Sequence, residues 1–154
     1  VREGYSSAIF SGVETGTEGS GGDITIDAGS FKLRDGAILD ARIEKNDNNN
    51  KGGDITINTN VFEALIGGQL TTTTESFGSA GKITVNATNK VTINGSDPNY
   101  NNRIANFLPE RISNIGANAG FFVNSTGAGT TGDIEINSPN ITLDNQGKLE
   151  ANST

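Results

Sequence analysis

The chain has 154 residues, a net charge of −7, no Cys and no His, and an apolar share of only 32%, where globular chains usually reach about 45–50% with Gly included. It therefore forms no disulfide and lacks the commonest general base and metal ligand. Without a Lys/Arg cluster, nucleic acid is not expected as a partner, and without an apolar run near ~20 residues no membrane span is expected.

Gly, Asn and Thr are abundant, at 21, 20 and 17 residues. Gly and Asn favour turns and Thr favours strands, so the mixture predicts many short strands. The chain opens at Val1 without Met, and residues 1–154 are read as one segment of a longer array. A first strand is expected over Ser7–Val13. After it, one phrase recurs four times: GDITID at Gly22–Asp27, GDITIN at Gly53–Asn58, GKITVN at Gly81–Asn86 and GDIEIN at Gly132–Asn137. Apolar and polar residues alternate inside each copy, as in a strand with one buried face.

The match runs past the phrase. Phe31, Phe62 and Ile141 share one offset, Leu33, Ala64 and Leu143 a second, and Leu39, Leu70 and Leu149 a third. The third copy is one residue out, with Val91 and Ile93 displaced. Such spacing predicts strands of successive repeats pairing in parallel, about 4.8 Å apart. Ile24, Ile55, Ile83 and Ile134 would form one internal column, and Ile26, Ile57, Val85 and Ile136 another. Asp27, Asn58, Asn86 and Asn137 would form a side-chain ladder at the strand ends. The Gly of each phrase is expected at a bend with positive φ. The fold class expected is all-β, a parallel β-helix of about four to five coils, with one long loop excursion near 94–118.

That excursion holds the candidate binding residues Tyr100, Arg103, Phe107 and Arg111. Ile104, Phe107 and Leu108 have helical spacing, so one short helical turn is expected before Pro109. The excursion reads as a flap over one edge of the stack, or as a loop that meets a glycan or a neighbouring molecule. No catalytic, metal or cofactor residue stands out, and the chain is not read as an enzyme. Calcium at the Gly-Asp corners Asp23, Asp54 and Asp133 is weighed against turn capping by the same carboxylates. The run Asp47–Lys51 is expected as a solvated turn, and Thr71–Thr74, standing in a single repeat, is read as making no threonine array on an outer face.

The phrases SAIFSGVETG, GSGGDITIDAGSFKLRDGAILDA, SAGKITVNATNKVTING and TGDIEINSPNITLDNQGKL resemble repeats of cyanobacterial filamentous-haemagglutinin-like proteins of the two-partner secretion route. The resemblance implies a right-handed parallel β-helix, export to the cell surface or beyond, and a role in adhesion or matrix building. The expected partners are glycans or cell surfaces. End-to-end self-association into a fibre is the first alternative, and a carbohydrate-active enzyme on the same scaffold is the second.

Overall fold

The computed structural model describes residues 5–16, 19–44, 50–107, 112 and 114–153. Ten strands are placed among them. They are β1 (Ala8–Phe10), β2 (Ile24–Arg34), β3 (Ile38–Asp40), β4 (Ile55–Leu65), β5 (Gln69–Thr74), β6 (Ile83–Asn94), β7 (Gly120–Ser125), β8 (Ile134–Asn137), β9 (Ile141–Asp144) and β10 (Lys148–Ser153). One helix, α1 (Tyr100–Asn106), lies between β6 and β7.

The strands divide into two separate parallel sheets. The first has the order β1-β3-β5-β7-β10; the second has β2-β4-β6-β8, with β9 also paired to β6. This corrects the expectation of a single right-handed parallel β-helix of four to five coils. The physical reason lies in the short turns inside each repeat. Asp35 (φ 55°) and Gly36 (72°) part β2 from β3, Ile66 (51°) and Gly67 (77°) part β4 from β5, and Asn145 (44°) and Gln146 (71°) part β9 from β10. Consecutive left-handed residues turn the chain sharply and end the ladder. The strands on either side then belong to different sheets.

Within each sheet the pairings follow the repeat. Ile24, Ile55, Ile83 and Ile134 are in register, as are Ile26, Ile57, Val85 and Ile136. Leu39, Leu70, Phe121 and Leu149 line up in the first sheet. The displaced third copy is absorbed by a bulge, where the pairing passes from Thr59↔Ala87 to Val61↔Lys90. All of these apolar residues except the exposed Leu149 belong to one core between the sheets, with Phe62 meeting Phe121 edge-on at 5.4 Å.

The polar columns also close. Asn58 donates to Asp27 (2.8 Å), Asn86 to Asn58 (2.8 Å) and Asn137 to Asn86 (2.9 Å). Asp23 accepts the Asp54 N–H (2.8 Å), and Asp54 accepts the Lys82 N–H (2.7 Å). The corner carboxylates at Asp23 and Asp54 therefore cap backbone. Burial acts to raise the Asp54 pKa, but hydrogen bonds from Lys51 and the Lys82 N–H outweigh it and hold it below its usual value.

The Gly of each phrase serves a different purpose from the one expected. Gly22, Gly53, Gly81 and Gly132 are not among the positive-φ residues. A Cβ on Gly53, Gly81 or Gly132 would sit 2.1, 2.0 or 2.2 Å from the carbonyl oxygen of the Gly one repeat earlier. Close backbone approach, not bend geometry, demands glycine there. Thr71, Thr72 and Thr74 are buried and form no outer-face array. Thr71 hydrogen-bonds Asp40 (2.8 Å) and Thr72 the Gly81 carbonyl (2.8 Å). Of the expected solvated turn, Asp47–Asn49 lie outside the described residues.

Two measurements test this packing. Ile55 is fully buried while its neighbour Thr56 faces outward. Ile55→Asp should abolish cooperative folding, because it removes about 1.5–3 kcal/mol of apolar burial and buries a charge; Thr56→Asp should shift the urea midpoint only slightly. Equal damage would contradict the assigned facing. Glu63 supplies the second test. Lys32 (2.6 Å) and Lys90 (3.3 Å) flank it from the adjoining strands. The hydrogen bond from Lys32 is the largest influence; burial opposes it, and the Lys90 hydrogen bond and the charges of both lysines help to hold the pKa below the ordinary 4.5. Its stabilising contribution is present above the unfolded value and is lost as pH falls through the folded one. Glu63→Gln should therefore flatten the loss of stability as pH falls below the ordinary glutamate value of 4.5, measured by denaturant midpoints on the acid side of that value.

Candidate functional site

The third repeat departs from the others at one place. In the first, second and fourth repeats a three-residue turn joins the two sheets, closed by Ala37 N–H to Arg34 O (3.1 Å), Gly68 N–H to Leu65 O (3.1 Å) and Gly147 N–H to Asp144 O (2.9 Å). Between β6 and β7 the corresponding turn is replaced by residues 95–119. The Ala119 N–H still reaches Gly95 O (2.8 Å), and Ser96 and Asn118 form an antiparallel bridge. The stretch expected as a loop excursion is thus an insertion with a pinched neck and a helix of its own, which corrects the loop reading. The helix is longer than the single turn anticipated, running from Tyr100 to Asn106.

A buried polar network fastens the insertion to the neighbouring turns. Arg103 is 3% exposed and pairs with Asp97 (2.5 Å), itself 7% exposed. The same guanidinium donates to Ser6 Oγ (2.7 Å) and Asn114 Oδ1 (2.9 Å). Asn114 in turn donates to the carbonyls of Gly36 (3.1 Å) and Gly67 (3.5 Å), in the turns of the first two repeats. Gly36 leaves room for this arrangement, since a Cβ there would lie 2.3 Å from the Arg103 guanidinium. The return arm is held separately. The Gln69 amide donates to the carbonyls of Ile115 (3.3 Å), Gly116 (3.0 Å) and Asn118 (2.8 Å), and its oxygen accepts the Ile115 N–H (2.8 Å).

Between the helix and the turns lies an open groove of about 570 Å³. Ile66, Pro98 and Phe107 supply apolar surface; Asp35, Asn99 and Asn102 supply hydrogen-bonding groups. Ile66 is a β-branched residue in the left-handed region, where its counterparts are Asp35 and Asn145. Such a conformation costs on the order of 1–3 kcal/mol and is concentrated at functional sites. Of the four candidate residues, Phe107 lines the groove and packs near Tyr5, with ring centroids 6.3 Å apart. Tyr100 is half-buried, its hydroxyl 3.5 Å from the Asn114 carbonyl. Arg103 borders the groove but is committed to the internal network. Arg111 lies outside the described residues, as do Leu108 and Pro109.

Sequence reasoning missed Asp97, Asn114, Asn99, Asn102 and Ile66. Their one signal was position, in the segment that breaks the repeat or in the turn beside it. Among the described residues no group of three or more His, Cys, Asp or Glu side chains is placed to hold a metal ion, and no helix is long and apolar enough to cross a membrane.

Removing the guanidinium tests the anchor. Arg103→Ala would leave Asp97 as an unpaired buried charge, costing about 3–5 kcal/mol. The double variant with Asp97→Asn should recover part of that loss in urea unfolding. Additive effects would deny the coupling. No family model, curated protein or solved structure matches the chain, so the haemagglutinin-like resemblance rests on the repeated phrases alone.

Proposed function

We propose that the chain is an extracellular structural and adhesive segment, a stiff two-sheet body that presents the 95–119 insertion to glycans on surfaces or cells. The observation that carries this reading is the groove beside α1. A pyranose offers an apolar C–H face and a rim of hydroxyls. Ile66, Pro98 and Phe107 match the first, and Asp35, Asn99 and Asn102 match the second. The buried Arg103–Asp97–Asn114 network supports it further, because a preorganised site loses less conformational entropy on binding. Surface location is supported by the resemblance of the repeats to secreted haemagglutinin-like proteins.

The strained turn gives a variant that separates binding from folding. Ile66→Asn places at φ 51° a residue type that tolerates this conformation, so the thermal midpoint should hold or rise while the apolar wall is lost. Combined with Asn102→Ala, it should reduce binding to an oligosaccharide array by about tenfold or more. Unchanged binding by this folded variant would remove the groove from the adhesive reading.

A second reading, end-to-end association into a fibre, is favoured by the sheet edges. Ile9 and Phe10 at one edge, and Ile141, Leu143 and Leu149 at the other, are 41–56% exposed. Bare strand edges with apolar side chains recruit further strands. Sedimentation velocity distinguishes the two: the fibre reading expects growth with concentration, whereas a dilute monomer that keeps glycan binding favours the adhesive reading.

A further inference from the structure

We infer that the edge formed by β8, β9 and β10 is a docking surface for a second copy of this chain, which adds its β2–β3 edge there and gives up β1 to do so. The inference rests on the fibre reading and fixes the contact that reading needs. Among the described residues the strands begin and end in the first sheet. That sheet has five levels of strand, from β1 to β10, where the second has four, with β8 and β9 sharing the last. Stacking β1 of one copy onto β10 of another would therefore leave one strand position of the second sheet empty at every joint. The backbone groups on both sides of that gap would have no strand partner. Removing β1 closes it. In the second copy β2 then lies on β8 and β9, and β3 on β10, as β4 lies on β2 and β5 on β3 inside the chain.

The internal columns set the register of this joint. Carried one repeat further, they place Ile24, Ile26 and Leu33 of the second copy on Ile134, Ile136 and Leu143, and Arg34 on Asp144. The receiving surface is an open apolar channel of about 500 Å³ between β8–β9 and β10, lined by Ile134, Ile136, Ile141, Leu149 and Ala151. The arriving residues belong to the core of their own copy, so the joint repeats packing already present. β1 is the smaller of the two strands that compete for one place. It pairs in register over three residues, all exposed, with one further bridge at Val13, whereas β10 pairs over six. Its holds include the Ser11 N–H donated to Asp40 O (2.9 Å), the Phe10 ring under the Arg42 guanidinium (5.5 Å) and the ties of Ser6 to Asn114 and Arg103. Asp27 is a second restraint. Each Asn of the ladder donates to the residue one repeat earlier, so the member after Asn137 has to donate, and an ionised Asp27 cannot.

The chain has no Cys, so paired substitutions report the joint. Thr25→Cys with Glu135→Cys puts two thiols in one column, three strand spacings apart within a chain but adjacent across the joint and there within disulfide reach. Ala8→Cys with Lys148→Cys reports direct stacking with β1 in place. Under air oxidation the first pair should give covalent oligomers on non-reducing gels, and the second should not. In sedimentation velocity, association should tighten about tenfold in Ser11→Pro, which removes the Ser11 N–H. It should tighten similarly in Asp27→Asn, which supplies the missing donor and keeps an acceptor for Asn58. Asp144→Arg should weaken association, and adding Arg34→Asp should restore it. Oligomers from the second pair would overturn this joint and leave the fibre reading standing. Oligomers from neither pair, with monomers throughout in sedimentation, would end both. Unchanged association in Asp27→Asn, an exposed and nearly isosteric change, would overturn the joint alone.

Discussion

Everything in this structure depends on strands of successive repeats lying in parallel register close enough for glycine backbone to touch glycine backbone. At Gly53, Gly81 and Gly132 even a methyl group would overlap the carbonyl of the preceding repeat. That approach sets the vertical spacing, and the ladder then aligns every side chain of one repeat with its counterpart in the next. β-Branched residues suit the inner columns because their χ1 is already restricted. A short apolar inventory suffices because few residues per repeat have to be covered.

The repeat made much of this legible. The isoleucine columns and the Asn ladder follow directly from spacing, and the one-residue displacement of Val91 and Ile93, visible in the repeat, is taken up in the structure by the bulge near Asn89. Two features were not legible. The first is the division into two sheets. It follows from consecutive left-handed residues, and Ile66 is the last residue type that composition would place there. The second is the fate of Arg103. A cation in an irregular, Asn-rich segment reads as exposed. Its burial depends on Asp97, Asn114 and Ser6, which only the folded chain brings together across as many as 108 positions.

The site arises from the same economy. Three of the four turns that lead from the second sheet to the first are three residues long, and the remaining one takes in a helix and a return arm without disturbing the strands on either side. Long insertions into a turn cost little when the ends stay close, and the Gly95–Ala119 closure keeps them close. Rigidity then comes from polar contacts onto the other turns and not from a second apolar core. A regular body with one anchored irregularity is a sensible design for contact, since the body fixes where the contact surface stands.

Inter-strand NOEs recorded on the isolated chain test the central claim most directly. The account predicts parallel-strand contacts from β4 to both β2 and β6, with methyl contacts from Ile55 to Ile24 and to Ile83. Close Hα–Hα contacts typical of antiparallel pairs, or methyl contacts displaced by one residue, would contradict it.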